Sequence, residues 1–233
     1  MSEVVAGAPP WSAHRRAGSA GELHGLDLLG APTRSWWVFD VDAPAVVLGS
    51  AQRAVPAMDL VDVEIAQRRS GGGAVNLSPH GSVWIDVVLP RSDPLWLDDV
   101  SRSALWLGDV WVSALAACGV HGEVHHGPPQ LGDMAAAACF AGVAPGEVVA
   151  GGRKLVGVSQ RRTRGGARFQ CVSYVAPPDT AVLVASLGAS APDGLASVLA
   201  ERVGVVPVSA GSLGEAFGRA IVDSRHHRDV EPR

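Results

Sequence analysis

Three groups of residues in this 233-residue sequence are of types that do chemistry. The first is Arg68-Arg69-Ser70-Gly71-Gly72-Gly73-Ala74-Val75, lying between two apolar, strand-like runs. Adjacent glycines let a backbone approach a ligand without Cβ clashes, and their N–H groups can form a concave anion nest. An arginine beside them can clamp a carboxylate or a phosphate. The loop is neither a Walker loop nor a GxGxxG fingerprint. The second group is Gly151-Gly152-Arg153-Lys154-Leu155-Val156-Gly157-Val158-Ser159-Gln160-Arg161-Arg162. Lys154 is the sole lysine among 19 basic residues, a compact point charge in a chain that otherwise uses the guanidinium fork. Set after a tight turn and beside Gly157, it can point into a site that the glycine leaves open. The third is Cys139. A thiol beside a cation is a candidate nucleophile, whereas one preceded by four alanines also reads as a small buried hydrophobe.

These residues need elements to hold them. Strand-like runs at 36–39 and 45–48 flank an Asp42-Ala43-Pro44 turn, and Val61, Val63 and Ile65 alternate with acidic residues. Further strands are expected at 74–77, 83–89 and 167–175. Gly151-Gly152 fits the two-residue turn of a hairpin joining 147–150 to 153–159. Apolar residues at spacings of three and four predict a helix over 98–119, capped by Asp98 or Asp99 and stopped by Gly119. Two more helices are expected near 194–202 and 212–224, and 121–134 reads as a loop. About seven strands with three or four helices, and more hairpins than βαβ units, predict an α+β fold: one domain on a mostly antiparallel mixed sheet flanked by helices. The expected boundaries are a weakly ordered segment at 1–30, helical near its end, the domain at 31–222, and a polar tail at 223–233.

Composition narrows the function classes. With 47% hydrophobic and 18% charged residues the bulk is not disordered, and a net charge of -4 argues against a chain dedicated to nucleic acid. No apolar run approaches the ~20 residues of a membrane span. Residues 1–10 lack the basic start of a signal peptide, and three cysteines are too few for a disulfide framework. A reducing, cytoplasmic setting is expected. His121, His125, His126 and Asp133 are too irregularly spaced for a zinc site.

The pairing of an arginine-led SGGGAV loop with a GRKLVG lysine strand about 80 residues later resembles the lipoate–protein ligase and cysteine octanoyltransferase family, whose catalytic domain is related to that of biotin–protein ligases. The resemblance spans roughly residues 44–175. It implies that Lys154 is the essential lysine and that Ser70, Gly71, Gly72, Gly73, Ala74 and Val75 lie along the acyl chain. It further implies that Arg68, Gly157, Ser159, Gln160 and Arg162 bind the acyl group or its adenylate, and that Glu147 orients a magnesium ion. Three positions depart from the family pattern: Gln67 for an arginine, Leu77 for a histidine, and Gln170-Cys171 for a His-Gly pair.

Two routes fit such a pocket. A ligase uses ATP and Mg2+ to turn free lipoate into lipoyl-AMP, then passes the acyl group to a lysine of a lipoyl domain, in a 2-oxoacid dehydrogenase complex or a glycine cleavage H-type protein. An octanoyltransferase instead takes octanoate from acyl carrier protein through a thioester, here on Cys139. About 60 residues follow the last catalytic strand, so an accessory domain is expected from a separate subunit. Ligase chemistry leads, the transferase is the alternative, and a non-catalytic acyl- or protein-binding paralogue is the more distant one. The run from Arg153 to Arg168 holds six basic residues and no acid, so it is expected to steer an acidic lipoyl domain. Which acid is the substrate, which protein accepts it and what oligomer forms are not written in these motifs.

Overall fold

A computed structural model describes residues 10–53 and 62–224; part of the expected alternating strand near 61 and most of the polar tail lie outside them. Seven strands form the main sheet: β1 (Ser12–Gly18), β2 (Ser35–Val41), β6 (Ser82–Pro90), β10 (Gly166–Tyr174), β9 (Arg153–Arg162), β8 (Val148–Ala150) and β7 (Glu123–Val124), in that spatial order. Only the β1–β2 pairing is parallel. A second sheet holds β4 (Glu64–Gln67), β3 (Ala45–Leu48) and β5 (Val75–Leu77) in the order β4-β3-β5. The Asp42-Ala43-Pro44 turn thus carries the chain from one sheet to the other.

Strand period places the two cores. Successive side chains on a strand point to opposite faces. On β6, Val83, Ile85, Val87 and Leu89 pack against α2 (Leu105–Ala117) and α6 (Ala210–Asp223). Trp84 turns the other way, into a core shared with the small sheet, α1 (Ala20–Gly25), α4 (Thr180–Leu187) and α5 (Leu195–Arg202). Strands β6 and β10 are buried on both faces; β6 reads as a nearly continuous apolar run broken by Asp86, whereas β10 also buries Arg168, Gln170 and Ser173. The architecture is the α+β arrangement expected from the sequence.

Several local expectations hold. Gly151 and Gly152 take φ of +55° and +77° in the β8–β9 turn, which glycine adopts without strain. Helices α5 and α6 lie where the periodicity puts them. Others shift. Residues 12–25, read as weakly ordered, form β1 and α1; a capping box of Ser19 and Glu22 starts the helix. Helix α2 begins at Leu105, not at 98. Asp99 spends its carboxylate on Ser101, and the carbonyls of 97, 98 and 100 are held by Arg162 and Gln160, so this stretch stays in turns.

Candidate active site

The glycine loop is built around Arg68. Its guanidinium is 3% exposed and donates to the carbonyls of Val47 (3.2 Å), Gly71 (2.8 Å) and Gly73 (2.8 Å). An arginine expected to clamp an anion therefore spends most of its donors holding the loop's own backbone. Two glycines are required by contact. A Cβ on Gly49 would lie 1.9 Å from the Gly72 carbonyl oxygen, and one on Gly73 would lie 2.5 Å from that of Ala135. Gln67, in place of a family arginine, donates to Gln52 O at 2.8 Å and ties down the 49–52 turn. Past the loop, Ala74 N donates to Ala137 O (2.8 Å) and Cys139 N to Ala74 O (2.9 Å). Those two bonds bring α3 (Asp133–Ala137) and the 3-10 turn at Cys139–Ala141 onto the loop's exit strand.

Lys154 opens β9 from the opposite side. Its Nζ donates to Cys139 O at 2.6 Å and pairs with Glu147 Oε2 at 2.7 Å. The ammonium also lies 5.3 Å from the centre of the Phe140 ring. Lysine and glutamate are both buried. The carboxylate is well engaged: Oε2 also accepts from Ala144 N (2.7 Å) and Oε1 from Val158 N (3.0 Å). The geometry gives Glu147 one evident task, setting the position of the Lys154 amine. Among the described residues no group of three or more His, Cys, Asp or Glu side chains could hold a metal ion.

Two cavities meet at Phe140. One is closed and small, about 20 Å3, with Val75, Leu77, Trp84, Phe140 and Val172 as apolar walls and Arg68, Cys139, Gly157, Ser159, Gln170 and His24 completing it. The other is an open cleft of about 450 Å3 that Lys154 lines together with His125, Gln130, Glu201 and Arg202. Gly157 stands where a Cβ would lie 3.1 Å from the Phe140 ring and 3.3 Å from Cys139 Sγ. Gly157 and Ser159 share a strand face and reach the closed cavity. Gln160 and Arg162 do not line it; they grip the 97–100 turn, and Arg162 stacks 4.0 Å over Trp96. Ser70 joins the cavity's polar end, its hydroxyl 3.0 Å from Ser159 Oγ and donating to Gln170 Oε1 at 2.7 Å.

His24 is the residue the motifs did not reveal. It arrives on α1, stacks on Trp84 at 4.2 Å and meets Gln170 Nε2 at 3.0 Å through Nδ1. The ring missing at Leu77 and at Gln170 is thus supplied from another element. The signal for it was the Ser19-x-x-Glu22 capping box, which starts a helix that reaches His24 one turn later. Burial, with Arg168 and Arg68 adding their charge, holds the imidazole pKa down to about 3. The unfolded chain takes up this proton near pH 6.5, so between the two values it binds more protons than the folded protein, and stability is lost as the pH falls from about 6.5 towards 3. From pH 7 to pH 5 the natural protein should lose about 2 kcal/mol more than His24→Phe. Urea unfolding at both pH values measures the difference, and parallel pH dependence would show that His24 is not held neutral.

The basic run is not one surface. Arg168 is buried: it pairs with Asp86 and donates to the carbonyls of Leu23 (3.1 Å) and Leu26 (3.0 Å), fastening the end of α1 to the sheet. Arg162 is caged by the 97–98 carbonyls. Arg153 and Arg164 are exposed, so only part of the expected strip can meet a partner. Cys171 is fully buried, and burial pushes its thiol up, away from any nucleophilic role.

Lys154 thus lies where the narrow apolar cavity and the polar cleft meet. The family model for the lipoyl protein ligase A/B catalytic domain matches residues 31–209. The chain belongs to this family. Its fold is similar to that of a lipoate-protein ligase A bound with ATP, at a TM-score of 0.67 and 20% identity over 94% of this chain and 86% of that one. It is similar also to the protein Ta0514 of T. acidophilum with bound lipoic acid, at a TM-score of 0.66 and 21% identity over 91% and 83% of the two chains. A third match is the bi-partite lipoate protein ligase of Thermoplasma acidophilum, solved in work on that enzyme and its E2 lipoyl domain, with a TM-score of 0.64, 18% identity and coverage of 94% and 85%. No curated protein matches the sequence. No helix among the described residues is long and apolar enough to cross a membrane.

Proposed function

We propose that this protein lipoylates other proteins: it activates free lipoate with ATP and transfers the lipoyl group to a lysine of a lipoyl domain. The observation that carries this reading is the placement of Lys154. Its amine lines the open cleft while its neighbours Cys139 and Phe140 line the closed cavity. An acyl chain entering along the cavity, which must widen from about 20 Å3 to admit it, presents its carboxylate at Phe140, and the polar cleft of about 450 Å3 has room for a nucleotide triphosphate. In the first step a carboxylate oxygen attacks the α-phosphorus and pyrophosphate leaves with the P–O bonding pair. Two anions must approach for this, and a fixed ammonium between them offsets their repulsion. In the second step the acceptor amine attacks the acyl carbonyl, AMP leaves, and the amine's proton passes to water. Magnesium, when ATP carries it, is held largely by the phosphates.

The supports for lipoate and ATP are the family membership and the ligands of the similar structures. The T. acidophilum ligase and its E2 lipoyl domain make a lipoyl domain the natural acceptor. The alternative reading, octanoyl transfer, has one specific observation in its favour: Cys139 lines the acyl cavity, and its carbonyl takes a hydrogen bond from Lys154.

The routes separate by intact mass. Free lipoate with ATP and magnesium should modify an added lipoyl domain and leave no adduct on the enzyme. Cys139→Ser should keep activity within about threefold, since a thiol that forms no bond in the reaction contributes only packing there. An octanoyl adduct formed from loaded carrier protein without ATP, labile to hydroxylamine and absent in Cys139→Ser, would replace the ligase by the transferase. Binding of lipoate without any modification of the domain would leave a non-catalytic module.

A further inference from the structure

The closed cavity contains a donor with nothing to donate to. The amide of Gln170 can be oriented from its neighbours: Asp86 Oδ2 lies 3.4 Å from Nε2, and Ser70 Oγ bonds Oε1 at 2.7 Å. The nitrogen faces the carboxylate, and it also points at His24 Nδ1 from 3.0 Å. Nδ1 therefore accepts, and in the neutral ring the single proton sits on Nε2. That Nε2–H is buried and has no hydrogen-bond partner among the described residues. The Nε–H of Arg68, which lines the same cavity, has none either. Other buried donors, the Trp36 indole among them, also lack a partner, but these two line one cavity, where a single incoming acceptor can meet them.

The position of this donor along the cavity is also fixed. Gln170 pairs in register with Ser159, five residues beyond Lys154 on β9. At about 3.3 Å per residue that separation is roughly 16 Å. An extended eight-carbon acid held beside Lys154 runs toward that end of the cavity. With the carboxyl group held beside Lys154, the tail of the acid ends near His24.

We infer, building on the acyl-transfer reading above, that His24 is a specificity-determining residue whose Nε2–H donates to an acceptor atom in the tail of the acyl substrate. The cavity, about 20 Å3 as it stands, must widen to take an acyl tail, and it then favours medium-chain carboxylic acids with a tail acceptor over the plain alkyl acid. Lipoate carries ring sulfurs, which accept weakly; octanoate carries no acceptor in its tail. A ketone placed at carbon 6 or 7 of octanoate gives a strong acceptor with nearly the same shape.

The test measures binding of lipoate, octanoate and the 6- and 7-oxooctanoates to the full chain by calorimetry, and transfer of each to a lipoyl domain with ATP. The natural protein should favour lipoate and the better oxo acid over octanoate by about tenfold or more, because a site with a buried donor rejects the ligand that leaves it unpaired. In His24→Phe, which keeps a ring against Trp84, both preferences should shrink to below about threefold. Should that variant not fold, His24→Leu removes the donor with an apolar side chain of smaller volume, and the same loss of preference is expected. Equal binding of all four acids by the natural protein overturns the assignment, as does a preference that survives in the folded variants. A preference for lipoate with neither oxo acid above octanoate overturns it too, since ring shape would then decide. In those three outcomes acyl transfer itself stands. Failure to bind or transfer any of the acids would instead remove the acyl-transfer reading, and this inference with it.

Discussion

Replacing Lys154 by methionine is expected to slow lipoyl transfer by about 10³-fold, the upper range for losing one preorganised charge-stabilising group. The expectation rests on the amine's seat between cavity and cleft, 5.3 Å from the Phe140 ring; Arg68, the other buried cation at this cavity, spends its donors on the glycine loop's carbonyls. Methionine fills the lysine's volume, but it abandons Glu147 as a buried carboxylate without its cation. Breaking a buried pair from one side typically costs about 3–5 kcal/mol, so the single variant should also melt earlier. The fold does not tolerate this change for free, contrary to what a lysine on an exposed hairpin would suggest. Lys154→Met combined with Glu147→Gln separates the two effects: stability should largely return while transfer stays low. Lys154→Arg should recover little, because a planar fork does not reproduce a 2.6 Å bond to Cys139 O and a 2.7 Å contact with Glu147. Intact-mass kinetics on a lipoyl domain, with a thermal melt of each variant, measures both quantities. Near-natural transfer by Lys154→Arg would show that charge alone suffices and would remove the positioned-amine role.

The second large effect is on stability and lies away from the lysine. Arg168→Met should cost about 3–5 kcal/mol, read as a shift of the urea midpoint at constant slope. Asp86 is fully buried and accepts from Trp84 Nε1 (2.7 Å) and from Arg168; burial pushes its carboxyl up, against the opposing pull of Arg168. Without the guanidinium the carboxylate loses its charge partner, and the carbonyls at the end of α1 lose their donors. Arg168→Met with Asp86→Leu should recover part of the loss, because an apolar pair leaves no charge stranded. A loss below about 1 kcal/mol in the single variant would mean that the pair is as dispensable as an exposed one.

The same residue shows where reading the sequence stops. Arg168 belongs to a run of six basic residues without an acid, and charge runs are usually solvated, so it read as part of a docking strip. Its partner Asp86 is 82 residues earlier, and no local pattern announces a pairing of that range. The triple glycine, the Gly151-Gly152 turn and the lone lysine were legible because each is a local necessity, a close approach or a positive φ or a charge. Gln160 and Arg162 were misassigned for a reason that period explains. They sit on the same strand as Gly157 and Ser159 but at the other parity, and they serve the 97–100 turn on the opposite face. Glu147 read as a magnesium-orienting residue because it matches an acidic position of the family; its pairing with Lys154 and two backbone N–H groups has no local sequence signal. His24 lay in a stretch rich in glycine and alanine that gave no strong period, and only its packing on Trp84 makes it part of the site.

If the reaction runs through the acyl-adenylate proposed above, the burial of the chain's one lysine also bears on how the protein survives its own intermediate. An acyl-adenylate is an indiscriminate acylating agent, and any that escapes the pocket will react with exposed primary amines nearby. With Lys154 only 4% exposed and every other basic side chain an arginine or a histidine, the protein's surface offers no lysine to that reagent. Guanidinium groups stay protonated at working pH and do not compete. The near-total use of arginine thus makes the enzyme a poor substrate for itself. Amine-reactive labels should likewise leave its side chains almost unmodified, so that acylated lysines found in a reaction mixture report on the acceptor protein alone.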